Sequence, residues 1–286
     1  MNIAMHAPHE PARYIDLLRA VSARQLAIRS GDVHRLMLGP IYREDDGVSG
    51  EIFRFIKLDP NEPWFNALTQ DVAEPEDLQA VKIPDHLLPH LQVIPFVFRS
   101  GTHRMYFVSR NRTTRVSPAA VKSFLEVAFS HAEIAGDFPE VNVTVIPEKE
   151  TLERIFAMHS LERLTIELVR PNADDGWDDE ARWLERLQRQ GSKKLTVELV
   201  SERNGSLTPD QETRTLAAVA ADNGKVSAEG RDAGGVKQRE STVEKPLIES
   251  VVLNPEIQLV FDVLRDTATA LDLKVGARGE NPAPLA

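Results

Sequence analysis

The chain has no cysteine in its 286 residues, which excludes disulfides, zinc–thiolate centres and thiol catalysis. No window holds 18 uninterrupted apolar residues, so no membrane span or membrane insertion is expected. The opening Met1-Asn2-Ile3-Ala4-Met5-His6-Ala7-Pro8-His9 lacks the basic start and long apolar run of a secretory signal. A cytoplasmic protein is the expectation. The common catalytic signatures are missing too: no Gly-x-x-x-x-Gly-Lys phosphate loop, no Gly-x-Ser-x-Gly elbow, no His-Glu-x-x-His. Many metal-dependent nucleases place Glu-x-Lys or Asp-x-Lys on a strand. This chain has no Glu-x-Lys, and its Asp272-Leu273-Lys274 falls at the end of the last expected helix.

The most informative absence is local. Residues 86–125 contain no aspartate and no glutamate, yet carry Arg99, Arg104, Arg110, Arg112, Arg115 and Lys122. The whole chain has a formal net charge of −10, so this +6 stands against −16 elsewhere. Such a balance disfavours indiscriminate binding to nucleic acid. A segregated patch still works, because ordinary salt screens charges more than roughly 10 Å away.

Apolar residues make up 42% and charged residues 27%, enough for a substantial core in one large or two moderate domains. Pro11 is expected to open a helix with Tyr14, Ile15, Leu17, Leu18 and Val21 on its apolar face. Strands are expected at 24–29, 34–42 and 50–58, then a proline-punctuated connection from Asp59 to Pro95. The clearest hairpin pairs Val93–Phe98 with Arg104–Ser109 through a turn at Arg99–His103. A polar loop, Asn111–Val116, leads to Ser117-Pro118, which caps and starts a helix reaching about Ser130.

Beyond Gly136-Asp137-Phe138-Pro139, strands are expected at 141–146, 161–169 and 194–200, with helices at 148–159 and 174–190 between them. That alternation has the length of βαβ units. A helix from Thr208-Pro209 stops at Asn223-Gly224. Polar strands at 225–231, 236–243 and 247–253 precede a final helix from Asn254-Pro255 to about Leu273. The expected fold is α+β, with mixed β-sheets, helices packed on one face and two lobes. The lobes are 1–136 with the basic hairpin and 137–275, and 276–286 is a tail.

Phosphate binding needs cations spaced to reach successive phosphates, with no acid nearby to cancel them. Arg99, Arg104, Arg110, Arg112, Arg115 and Lys122, with His103 in the turn, are the candidate nucleic-acid-binding residues. Asn111, Thr113 and Thr114 beside them are ordinary partners of phosphate oxygens. The helix N-terminus near Ser117 adds a dipole favourable to anions. Tyr106 and Phe107 alternate on the strand, so one of them is a candidate for stacking on a base. The competing reading is that these arginines meet acidic surfaces of the same molecule or of a neighbouring subunit, and the chain has 44 acids to offer.

Other clusters point to structure rather than chemistry. Lys225, Arg231, Lys237, Arg239 and Lys245 are interleaved with Asp222, Glu229, Asp232, Glu240 and Glu244, the pattern of a solvated β surface. Asp174, Asp175, Asp178, Asp179 and Glu180 crowd a helix start, where the dipole stabilises acids, although oxygen ligands for a divalent metal also converge there. Trp177 and Trp183 share no clean helical face and read as packing residues. His86 and His90 have metal-pair spacing, but Pro89 interrupts them and no third ligand follows. No metal or other cofactor is expected.

The run Glu51-Ile-Phe-Arg-Phe-Ile-Lys57, followed by Pro63-Trp64-Phe65-Asn66, resembles an uncharacterised bacterial family carried on mobile elements. Val141-Asn-Val-Thr-Val-Ile-Pro147, Arg170-Pro-Asn-Ala-Asp-Asp175 and Glu212-Thr-Arg-Thr-Leu-Ala-Ala218 match the same family, over residues 10–265. The layout of a strand pair, Phe96–Val108, then a helix, then a strand ending at Pro147, is similar to the RexA phage-exclusion proteins and to KwaB of the Kiwa defence system. This resemblance implies an antiphage-defence or phage-exclusion protein that binds DNA without sequence preference and works as a homodimer or larger homo-oligomer. It implies no catalytic residue. The alternatives are a protein–protein adaptor or sensor docking an acidic partner, such as a second protein of a defence operon, and a metal-dependent nuclease using the Asp174–Asp179 cluster.

Overall fold

The structure is a computed structural model that describes residues 1–6, 10–58, 62–79, 84, 86–169, 178–254 and 256–276. Its larger sheet has seven strands in the order β2 (Ile28–Ser30), β3 (His34–Glu44), β4 (Gly47–Ile56), β7 (Gln92–Arg99), β8 (Arg104–Phe107), β1 (Asn2–Met5) and β9 (Val141–Thr144). A small ribbon, β5 (Phe65–Asn66) with β6 (Asp71–Val72), and the short helix α2 (Pro75–Gln79) lie between β4 and β7.

The hairpin of β3 and β4 closes on Asp45-Asp46, with Glu44 opposite Gly47. Gly47 has φ +124°, and a Cβ there would stand 2.0 Å from the Phe98 carbonyl oxygen. Only glycine lets β7 approach so closely.

β7 shows why both faces of this sheet are covered. Ile94, Phe96 and Phe98 point into one core, built with Tyr14, Leu17, Leu18 and Val21 of α1 (Pro11–Arg24) and Val121, Phe124 and Leu125 of α3 (Pro118–Ser130). Val97, of opposite pleat, points to the other side. There it meets Tyr106 and Leu264, Ala268 and Leu271 of α8 (Val260–Gly276). The Ser117 hydroxyl caps α3, accepting from the Ala120 amide at 3.2 Å. The short helix α4 (Ala132–Ala135) follows, and its Ile134 joins the first core.

The smaller sheet has the order β11 (Lys194–Val200), β10 (Ser160–Val169), β12 (Gly224–Arg231) and β13 (Lys237–Ser241). Leu164, Ile166 and Leu168 alternate inward against Trp183 and Leu187 of α6 (Asp178–Arg189) and Leu216, Ala217 and Ala220 of α7 (Gln211–Asn223). Ile155 of α5 (Glu150–Phe156) closes the same core. The opposite face is a lattice of charges: Arg163 to Glu198 at 3.0 Å, Lys194 to Glu167, and Arg231 to Glu162 at 2.7 Å.

The α+β class is what the chain adopts. Every ladder among the described residues is antiparallel, β10 with β11 and β12 included, so the helix-bearing connections of the second half build no parallel βαβ pair. β9, the first strand of that run, leaves it to pair with β1 in the larger sheet, and β11 and β12 both run antiparallel to β10 between them. β9 and α8 therefore lie beyond the expected boundary at residue 136 yet complete the N-terminal sheet. Residues 247–253, expected as a strand, form none. A buried polar pin ties the larger sheet to α7 and α6, the helices packed on the smaller one. Asn2 of β1 donates to Asn223 Oδ1 at 3.0 Å, and Asn223 donates to Glu180 Oε1 at 2.7 Å.

Candidate nucleic-acid interface

The β7–β8 hairpin forms where the alternation predicts it, and it splits the candidate cations into two groups. Arg99 and Arg104 face each other at the end of the ladder. Like charges directly opposite repel unless something neutralises them. That something is Asp272, from the last turns of α8. Its carboxylate meets Arg104 Nη1 at 3.3 Å and Arg99 Nε at 3.9 Å, and it accepts the Tyr106 hydroxyl. Arg99 also donates to the Thr269 hydroxyl at 2.6 Å and reaches Asp46 at 3.4 Å. Arg104 is 7% exposed. Burial, and then the Asp272 carboxylate, push the Tyr106 hydroxyl far above its ordinary pKa.

His103 is buried as well, at 0% exposure. It takes φ 53° in the turn, and its ring stacks on Tyr14 with 4.1 Å between centroids. Its carbonyl accepts from the Ile3 amide at 3.0 Å, tying the turn to β1. Arg104 and His103 thus lie inside the protein, and Arg99 is spoken for by its own chain. Neither aromatic of the strand is a free platform: Tyr106 lies under α8, and Phe107 packs against the first core.

The loop after β8 is different. Arg110, Arg112 and Arg115 are all exposed, and among the described residues none of the three makes an ion pair. The backbone beneath them is ordered by Asn111, whose Oδ1 accepts from the amides of Thr113 at 2.9 Å and Thr114 at 2.7 Å. The Thr114 hydroxyl donates to the Val93 carbonyl at 3.1 Å, and Arg110 and Arg115 form a bridge across the loop base. Three cations therefore stand on a braced turn. Lys122, on α3, is half-buried and pairs with Glu126 at 3.6 Å, a contact worth little.

A family model described as a domain of unknown function (DUF4747) matches residues 1–269. The chain belongs to this family. The match takes in both sheets, the hairpin, the arginine loop and most of α8. A search of curated proteins finds no match.

Elsewhere in this DUF4747 chain, the second basic set lies on or beside β12 and β13, where Arg231 is paired with Glu162. Trp183 is buried and packs under Arg186 at 4.8 Å, whereas Trp177 lies outside the described residues. His86 and His90 share no helix. His90 instead sits 5.8 Å from the His34 ring and bonds Gln92, while burial, Arg54 and His90 lower the His34 pKa. Of the acidic cluster, Asp174 and Asp175 lie outside the described residues and Glu180 is committed to Asn223. No group of three or more His, Asp or Glu residues able to hold a metal occurs among the described residues. No helix among them is long and apolar enough to cross a membrane.

Sequence reasoning missed α8 as the partner of the hairpin. Asp272 is 168 residues from Arg104, a distance no local window spans. Arg265 of the same helix forms a two-pronged pair with Glu44 of β3 at 2.8 and 2.9 Å, which lowers the Glu44 pKa. The missed signal was the i, i+4, i+7 set Arg265, Thr269 and Asp272, a polar row beside the apolar row Leu264, Ala268 and Leu271 of the same helix.

Proposed function

We propose that this protein binds the phosphate backbone of DNA, without sequence preference, through Arg110, Arg112 and Arg115. The observation that carries this reading is the exposure of three arginines on a braced loop, without a carboxylate partner among the described residues, in a chain of net charge −10. A fixed loop loses little freedom on binding, so its charges are well used. Arg99, His103 and Arg104 serve as the frame that positions the loop. Lys122, on α3, has only a weak partner. In keeping with the resemblance to mobile-element, RexA and KwaB proteins, the setting proposed is antiphage defence or phage exclusion. The protein acts there as a non-enzymatic homo-oligomer. Affinity for duplex DNA should fall steeply with salt, and replacing all three loop arginines by alanine should flatten the log–log slope by about 2.7 units. An unchanged slope in that variant refutes the interface.

A second reading is favoured by a separate observation. Ile248, Val251, Val252, Ile257 and Leu259 are all more than half exposed in the segment before α8. Large exposed apolar runs mark contact surfaces. An adaptor docking on a partner protein would use this segment, and would shift on size-exclusion chromatography with that partner but not with DNA.

A further inference from the structure

Between β8, the arginine loop, residues 246–253 and α8 lies a cavity of about 680 Å³, within the 300–1,000 Å³ range typical of small-molecule sites. Its buried walls are apolar: Met105, Leu264, Ala268 and Leu271. Its one buried hydroxyl at the wall, on Tyr106, is already bonded to Asp272. The outer wall is pinned where it begins, by the Leu247 amide to the Ile146 carbonyl at 2.8 Å. Charge gathers among the exposed lining residues, where Arg110 and Arg112 face a single acid, Glu249.

An apolar chamber with cations at its mouth matches one chemical class. We propose that the cavity binds a single-chain amphipathic anion, a medium-chain fatty acid, with its tail against α8 and its carboxylate between Arg110 and Arg112. Arginine forks pair with carboxylates through two parallel hydrogen bonds, which fixes the head, while the tail gains from leaving water. A nucleotide fits less well, because the buried walls offer no unpaired polar group to read a base and Tyr106 is edge-locked by its bond to Asp272. The site does not depend on DNA binding, although the two share Arg110 and Arg112.

The test is calorimetric titration of the full chain, stripped of lipid, with octanoate, decanoate and dodecanoate below their micelle concentrations. Each added methylene should tighten binding about four-fold. Dodecylamine, with the same tail and the opposite charge, should bind at least about ten-fold more weakly, and the double variant Arg110→Gln, Arg112→Gln should erase that preference. Val263→Trp, which places an indole in the cavity wall, should weaken dodecanoate at least ten-fold while leaving the DNA salt slope unchanged. Leu253→Trp fills the chamber from its outer wall, so it decides the matter if Val263→Trp does not fold. Affinity independent of chain length, equal binding of amine and carboxylate, or a filled variant that binds like the parent overturns the proposal. Loss of the DNA slope alone leaves the cavity site standing.

Discussion

Asp272→Asn tests the attachment of α8 to the sheet. The Asp272 carboxylate is 20% exposed, and the Arg104 side chain it neutralises is 8% exposed. Replacing the acid by its amide keeps the shape and an acceptor for the Tyr106 hydroxyl, but leaves Arg104 and Arg99 opposite each other with one counter-charge gone. Stripping the partner from a fully buried cation costs about 3–5 kcal/mol, and a charge-assisted hydrogen bond is worth about 1.5–3 kcal/mol. Two effects reduce the loss. Asp272 keeps some contact with water, and an acid in the last turns of a helix opposes the helix dipole, worth about 0.3–1 kcal/mol. The expected loss is therefore about 2–3 kcal/mol, a large share of the roughly 5–15 kcal/mol that holds a domain together. Urea unfolding followed by tryptophan fluorescence and circular dichroism measures it, with the slope m compared between variants. Pairing Asp272→Asn with Arg104→Met should recover most of the loss, since the amide still accepts the Tyr106 hydroxyl and the buried cation is gone. A cost below about 1 kcal/mol for Asp272→Asn, or no recovery in the pair, would refute the view that this carboxylate neutralises the hairpin.

Gly47→Ala should cost more than about 2 kcal/mol in the same urea assay, because its Cβ would meet the Phe98 carbonyl at 2.0 Å in a backbone conformation alanine avoids; a neutral result would mean that β3–β4 and β7 do not approach as described. The Tyr106 hydroxyl has its folded pKa raised above the ordinary value of 10.0, so the folded state holds this proton where the unfolded state releases it. Its contribution to stability should be complete below pH about 10 and lost as pH rises beyond that, and Tyr106→Phe should remove this alkaline loss; a variant that keeps the full alkaline slope refutes the assignment.

Local readings succeeded where local physics decides the outcome. The alternation of Val93–Phe98 and Arg104–Phe107, with a turn between them, required no distant partner to specify a hairpin. Ser117-Pro118 capped α3 for the same reason. The charge window was blind to partners far along the chain. An acid-free window of 40 residues says nothing about acids arriving from 168 residues away, and Asp272 does arrive. The division between Arg99 and Arg104 on one side and Arg110, Arg112 and Arg115 on the other follows from where α8 lies. The helix covers the strand ends and leaves the loop beyond them uncovered. β1 escaped notice because four residues at the start of a chain carry too little periodicity, yet it pairs with both β8 and β9. Residues 247–253 have β-forming side chains, yet after the Leu247 amide bonds the Ile146 carbonyl they join no ladder, so propensity alone did not make a strand.

The path of the chain through the larger sheet has a kinetic consequence. Residues 2–5 find their second neighbour only when residues 141–144 exist, and the far side of β7 and β8 stays uncovered until Leu264, Ala268 and Leu271 emerge. A ribosome making roughly 5–20 residues per second would leave Val97 and Tyr106 open to water, and to other nascent chains, for many seconds. Loop-closure entropy over such separations also slows the final docking step. Shortening the chain before α8 should therefore yield a sticky, incompletely covered sheet, and co-expression of a chaperone should matter most for that truncated form.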